Sequence, residues 1–328
     1  MSDEISLATV AARAGVSVST VSRIVNGETK RASAATVKRV QEAIEAVGYR
    51  PNPVGRALRR RESRVVAMLI ANLDNPSMAT IASSTEAALR SAGYVMILCD
   101  THDRADLQDE YIEAMRAQFV KGFVLVAAVP SPGLAELSTQ GAPLVFVARR
   151  APNGSGTFVG IDNRRAGAAV AARFLAEGRK APAVIYPHNA FSAARERVDG
   201  FLTHLREHGA NLSPVREETG HGLSHLQIGY DGAERMFSSG PQPDAILCVS
   251  DQIAYGVHRR ALERGVAIPT DCALISIDGT PLNAWVAPWL RSLEIPYADY
   301  GQQIVESFER IWSGAPDSDR IMPFRFPQ

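Results

Sequence analysis

From residue 64 onward the chain repeats one pattern, a nearly continuous apolar run followed by an amphipathic stretch of helical period. The apolar runs at 65–70, 95–98, 122–126, 144–147, 158–160, 183–186, 245–249 and 273–277 are short and bounded, and they predict strands. Segments 81–92, 107–119, 166–176, 193–208, 230–237 and 253–264 between them predict helices. A strand apolar on both faces needs cover on both, and a helix after each strand supplies it. The pattern therefore predicts parallel sheets in an α/β core. No repeat with a 20–50-residue period and no low-complexity tract interrupts it.

The first fifty residues break the pattern and read as three short helices. Leu7, Val10, Ala11 and Ala14 recur at helical spacing, and Gly15 ends that helix where a positive φ is cheapest. Ser17 is placed to cap a second helix whose apolar stripe is Val21, Ile24 and Val25. Val18, Ser19, Ser22, Arg23 and Asn26 fall on its opposite face, and Gly27 closes it. A third helix starts near Ser33, buries Val37, Val40, Ile44 and Val47, and stops at Gly48. Two short helices joined by a tight turn, with a third across them, describe a helix-turn-helix.

Charge points the same way. The 328 residues hold 35 basic and 35 acidic side chains, but residues 1–63 hold 11 Lys and Arg against 6 acids. A basic head of +5 on a body of −5 suggests an anionic partner, nucleic acid first. On the second helix Arg23 suits a paired hydrogen bond to guanine, Asn26 and Ser19 suit base edges or phosphates, and Val18 suits a thymine methyl. Ser17, Thr20 and Ser22 suit phosphates at the helix N-terminus.

Other classes are less well supported. No uncharged apolar run approaches the roughly 18–20 residues of a membrane span. The acidic start Met-Ser-Asp-Glu-Ile lacks the basic and apolar regions of a secretory signal, so a cytoplasmic place, on the nucleoid when bound to DNA, is expected. Cys99, Cys248 and Cys272 are far apart, follow no metal spacing and read as reduced core residues. His204-Leu205-Arg206-Glu207-His208 matches the H-x-x-E-H zinc-peptidase pattern, but its helix turns Val198, Phe201, Leu202 and Leu205 inward and the histidines outward. His221 and His225 repeat the spacing across Gly222, where a stable helix is not expected. Asn153-Gly154-Ser155-Gly156 precedes a strand and is no dinucleotide fingerprint. With no P-loop and no nucleophile elbow, catalysis has no support, and no cofactor or metal is expected.

The run LATVAARAGVSVSTVSRIVNG over 7–27 resembles the headpiece of LacI/GalR-type bacterial repressors. The likeness continues through Ser33-Ala34-Ala35-Thr36-Val37 and Gly48-Tyr49-Arg50-Pro51-Asn52-Pro53, and Leu7 joins the DNA-facing positions. The resemblance implies a headpiece over 1–50, a hinge over 51–63 and a core over 64–328. Within that hinge Leu58 falls on the leucine that a pair of hinge helices wedges into the minor groove. Gly55 departs from the alanine common in that hinge.

Asp74-Asn75-Pro76, Ile161-Asp162-Asn163-Arg164-Arg165-Ala166-Gly167, Arg197-Val198-Asp199-Gly200-Phe201, Pro243-Asp244-Ala245-Ile246 and Ile277-Asp278-Gly279-Thr280-Pro281 follow in the order of that family's body. They imply an α/β core of periplasmic-binding-protein type, two doubly wound parallel-sheet subdomains, behind the all-α headpiece. The first would comprise 64–161 plus 294–324 and the second 162–293, with crossovers near Ile161, near Leu293 and around 321–326. In such folds ligands bind where the strands end.

The resemblance places Arg197 on a ligand arginine and Asp278 on an acid that binds ligand hydroxyls. Ser250 stands where asparagine is common, Ser77 and Met78 replace an aromatic pair, and Ala148 replaces an aspartate just before Arg149. These six residues, Ser77, Met78, Arg149, Arg197, Ser250 and Asp278, are the expected effector contacts, with Arg149 tilting the cleft toward an anion. The chain is expected to be a homodimeric, ligand-controlled repressor of operator DNA answering to a sugar, sugar acid or sugar phosphate. No leucine heptad precedes Pro327-Gln328, so tetramerisation through such a tail is not expected. A sugar-binding transport protein would leave the DNA-binding head unexplained, and an α/β enzyme would show turnover or a bound metal.

Overall fold

The computed structural model describes residues 6–49, 63–152, 154, 156–188, 192–222, 224–316 and 318–326. The chain divides into two compact units between Ser63 and Arg64. Leu58 and the rest of the expected hinge up to residue 62 lie outside the described residues.

The first unit is α1 (Leu7–Ala14), α2 (Val18–Val25) and α3 (Ala34–Val47). Each starts on a serine whose hydroxyl accepts a first-turn N–H: Ser6 from Thr9, Ser17 from Thr20 and Ser33 from Thr36. Gly15 and Gly48 stop α1 and α3 at φ 64° and 67°, in the left-handed region that glycine enters without steric cost. Asn26 caps α2, its Nδ2 donating 2.7 Å to the Ser22 carbonyl, and Gly27 closes it at φ 81°, with the Gly27 and Glu28 N–H groups donating back to Ile24 and Arg23. Val10, Ala11, Ala14, Val21, Ile24, Val40 and Ala43 form the small core. Val37, Ile44 and Val47 are only half-buried at its edge, because so small a bundle cannot enclose every apolar side chain of its longest helix.

The second unit alternates strands and helices. Its first part runs β1 (Val65–Ile70), α4 (Pro76–Ser91), β2 (Val95–Asp100), α5 (Ala105–Ala117), β3 (Gly122–Val126), α6 (Pro132–Thr139), β4 (Leu144–Val147) and β5 (Thr157–Ile161). Its second part runs α7 (Asn163–Ala176), β6 (Pro182–Pro187), α8 (Ser192–His208), β7 (Arg216–Gly220), α9 (His225–Ser238), β8 (Ala245–Cys248), α10 (Asp251–Glu263), β9 (Ala273–Asp278), α11 (Asn283–Val286) and β10 (Arg291–Glu294). A 3-10 turn (Tyr297–Asp299), α12 (Tyr300–Trp312) and β11 (Arg320–Met322) follow. The strands form two parallel sheets, ordered β11-β5-β4-β3-β1-β2 and β10-β9-β8-β6-β7. In each, the order reverses around one strand, β1 in the first and β6 in the second.

The chain passes between the sheets from β5 into α7, from β10 into the 3-10 turn, and back after β11. After β11, Arg325 forms an antiparallel bridge with Glu294 at the end of β10, with backbone hydrogen bonds of 2.7 and 3.1 Å.

Several elements differ from the sequence expectation. β7 carries no apolar run because it is an edge strand of half-exposed Arg, Glu and Thr. α4 starts at Pro76 rather than 81, and α9 at His225 rather than 230. α6, β10 and α12 were not anticipated, although α12 buries Ile304, Val305 and Phe308.

Two helix pairs in the second subdomain touch backbone to backbone. A Cβ on Gly167 of α7 would lie 1.9 Å from the Arg197 carbonyl oxygen, and one on Gly200 of α8 would lie 2.0 Å from that of Arg164. Gly229 and Gly256 do the same for α9 and α10, each 2.0 Å from a carbonyl of the facing helix. A side chain at either crossing forces the axes apart and empties the layer beneath. Gly200→Ala is expected to destabilise the second unit by about 1–3 kcal/mol, read as a lower midpoint in urea denaturation; an unchanged midpoint would remove the crossing from the fold's stability.

Candidate functional site

In the first unit, α2 buries Val21 and Ile24 and turns its other face outward. Val18 is 47% exposed, Ser17, Ser19 and Arg23 are exposed, and Thr20, Ser22 and Asn26 are half-buried. Ser17 Oγ lies 2.9 Å from both Ser19 Oγ and Thr20 Oγ1. Arg23 Nε donates to the Ser19 carbonyl at 3.3 Å, which lays its guanidinium along the helix toward the N-terminus. The result is a hydroxyl-rich helix start beside one arginine and one exposed methyl surface, chemistry that fits phosphates and base edges. Leu7 is half-buried against the core.

The second unit has a cavity of about 590 Å³ where the strands of both sheets end. Ser77 and Met78 reach it from the first turn of α4, Arg149 from beyond β4, Arg197 from α8, Ser250 from the cap of α10, and Asp278 from the last residue of β9. The six effector candidates therefore line one cavity. Ala127 and Ala148, which follow β3 and β4 and line it too, stand at φ 59° and 64°. That is a costly conformation for alanine and one that Asn or Asp adopts more readily.

Arg197 and Asp278 are deeply placed, with side chains only 11% and 8% exposed and 3.7 Å apart. Arg197 pairs with neither Glu196 nor Asp199. Its Nε donates to Asn163 Oδ1 at 3.0 Å, and its Nη1 to the carbonyls of Val249 at 2.6 Å and Ile277 at 3.3 Å. Asp199 pairs instead with Arg164. Asp278 Oδ1 accepts from Tyr297 Oη at 2.7 Å, and its Oδ2 from the Asp251 N–H at 3.2 Å. Burial, and then the nearby charge of Asp251, push the Asp278 carboxyl up to about 7 against the pull of Arg197. The phenol of Tyr297 is likewise pushed well up by burial and by Asp278.

Arg149 Nη1 donates to Asp103 Oδ1 at 2.7 Å and to the Ala127 carbonyl at 2.8 Å. His225, the first residue of α9, also lines the cavity, and its Nδ1 lies 2.8 Å from Ser250 Oγ. Burial, then Arg149 and Arg197, lower its pKa to about 4, so the ring is neutral at ordinary pH. His221 stacks at a tilt on His188 with ring centroids 4.3 Å apart, and it stands on the cavity wall as well. Sequence reasoning weighed His221 and His225 only as metal ligands and missed Asn163, Asp103 and Tyr297. One signal was present: Ser224 before His225 is a helix cap, which places the ring at a helix start facing the strand ends. His204 and His208 stack on each other, and no group of three metal-ligating side chains occurs among the described residues.

Residues 6–52 match the family described as bacterial regulatory proteins, lacI family. Residues 63–280 match that of periplasmic binding proteins and the sugar binding domain of the LacI family. The chain is 30% identical to the HTH-type transcriptional regulator PtxS of Pseudomonas putida over 98% of its own length and 94% of that protein's. Its fold follows that of the lac repressor dimer bound to operator and the anti-inducer ONPF, with a TM-score of 0.83 and 20% identity over 99% and 98% of the two chains. It also follows that of a LacI family transcriptional regulator from Enterococcus faecium with bound ribose, with a TM-score of 0.71 and 24% identity over 80% and 97%.

The raised Asp278 carboxyl carries a stability signature. Its folded pKa of about 7 lies above the ordinary 3.8, so the native state binds this proton more tightly than the unfolded chain. The contribution is complete below an ordinary aspartate pKa and is lost as pH rises through about 7. Asp278→Asn cannot ionise, so its stability relative to the wild type is expected to be greater at pH 8 than at pH 5 in urea denaturation. A difference that does not change with pH would contradict the buried-carboxyl account.

Proposed function

The chain belongs to the LacI family of bacterial regulatory proteins, a DNA-binding transcriptional regulator, and on that premise we propose that it is a homodimeric repressor controlled by a carbohydrate-like effector. The observation that carries this reading is the joining, in one chain, of an exposed reading face on α2 with the cavity that gathers Arg197 and Asp278 where two doubly wound sheets end. α2 enters the major groove, and the two subunits of a dimer read the two halves of a near-palindromic site. Arg197 supplies donors and Asp278 an acceptor, a pair suited to a polyhydroxylated molecule.

Control follows from linkage. An effector that binds one arrangement of the two subdomains better than another shifts the population, and DNA binding shifts with it. Similar structures support both halves of the reading: the lac repressor is bound to operator, and two other regulators carry cellobiose and ribose.

Two measurements test it. Arg23→Ala is expected to cost about 1–3 kcal/mol at one operator base pair and to relax the preference there; equal weakening at every position in competition binding removes Arg23 from base reading. Arg197→Lys keeps a charge beside Asp278 but loses the planar fork that spans Asn163, two carbonyls and the cavity. Its effector affinity is expected to fall by roughly ten- to a hundredfold while operator binding survives. Titration calorimetry of both proteins decides this, and an unchanged dissociation constant places Arg197 outside the ligand contact.

A further inference from the structure

The charges facing the cavity are unequal, and they come from both subdomains. Arg149, from the first, pairs with Asp103. Arg197, from the second, commits Nε and Nη1 to neutral acceptors, and no hydrogen bond from its Nη2 occurs among the described residues. The nearest carboxylate to it, Asp278, already accepts from Tyr297 and from the Asp251 backbone, and its carboxyl is held up to about 7. His225 feels both guanidinium groups at once. Among the described residues, Arg149 and Arg197 thus meet a neutral imidazole at the cavity wall, with Asp103 on one side and, on the other, an Asp278 carboxyl that burial and Asp251 push well above the usual carboxylate range.

A further observation comes from α4. Ser77 is 4% exposed, lines the same cavity, and its hydroxyl has no hydrogen-bond partner among the described residues. It sits in the first turn of a 16-residue helix, where the N–H groups carry partial positive charge. A buried hydroxyl left unpaired is costly, and a ligand oxygen beside it removes that cost.

We propose that the ligand of this cavity is an anionic polyol rather than a neutral sugar, and that its charged group lies among Arg149, Arg197 and His225 and so ties the two subdomains together. This rests on the effector reading given above and narrows its ligand class. Two positive groups that approach each other from opposite subdomains repel, and an anion between them turns the repulsion into attraction to a shared charge. Arg149 and Asp103 face His225 from the first subdomain, and Arg197 and Ser250 from the second, with His221 four residues before it. An anion added to that set favours the protonated ring, so binding takes up a proton at His225 and tightens as pH falls.

The test is a calorimetric and thermal-shift panel on the full chain. Each neutral aldose is paired with its aldonate, 2-ketoaldonate, uronate and terminal phosphate. At least one anionic member is expected to bind, with its neutral parent weaker by about thirtyfold, the worth of one charge-assisted hydrogen bond. Whether the tightest binder is a carboxylate or a phosphate identifies the source of the charge. In the wild type the affinity for that binder is expected to rise about threefold or more between pH 7.5 and 5.5, and in His225→Gln to rise less. A neutral parent that binds as tightly as its acid overturns the anionic class and leaves the effector reading standing. Equal pH slopes in the two proteins remove His225 from the seat of the charge. If no member binds, the carbohydrate reading itself fails.

Discussion

The carboxylate of Asp251 holds the ligand end of the second subdomain together. It is 2% exposed and accepts five hydrogen bonds: from the hydroxyls of Ser276 and Ser292 at 2.6 Å each, from the N–H and hydroxyl of Thr280 at 2.9 and 3.0 Å, and from Asn283 Nδ2 at 2.8 Å. Those donors belong to β9, the turn after it, α11 and β10, while Asp251 itself opens α10. Burying a charge is expensive unless its acceptor sites are filled, and removing any one donor exposes that cost. The position of Asp278 follows, since the Asp251 N–H donates to it and the Asp251 charge raises its pKa. Tyr297, bonded to Asp278, carries the same network into the second crossover.

Around that hub the subdomain is stiff. The glycine crossings of α7 with α8 and of α9 with α10 bring backbones into contact, so these helices have little room to slide. The freedom that remains belongs to the three short segments joining the sheets, after β5, after β10 and after β11. The Glu294–Arg325 bridge ties two of these segments together, and domain closure in proteins is absorbed by a few such residues. Ligand groups that reach both walls of the cavity act on those segments.

The cavity departs from what stability alone would favour. Two alanines hold left-handed backbone, a serine hydroxyl is buried with no partner among the described residues, a carboxyl is pushed well up by burial and an imidazole is kept neutral beside two guanidinium groups. Such costs persist where the surrounding structure over-determines them, and they cluster where ligands bind. In the first unit the departures are small: three serine caps, two glycine stops and a core of Val, Ile and Ala agree with the local sequence. That unit's chemistry lies outside its core, on the exposed face of α2.

The sequence by itself determined the helix-turn-helix and the alternation of strands and helices, because burial on both faces of a strand and capping at a helix start leave local marks, while the six cavity candidates came from its resemblance to a family. It left out β7, whose polar residues sit at a sheet edge where no face is fully buried. It also placed α4 and α9 a turn late, since each first turn gives residues to the cavity, although Ile228 of α9 packs in the core. Those turns hold Ser77 and His225. Only the tertiary structure decided that Arg197 is held by Asn163 and two carbonyls, that Asp251 supports Asp278, and that Arg149 and His225 come from opposite sheets to one cavity. Each of those contacts joins residues far apart in the chain, and no local propensity records which strand ends will meet.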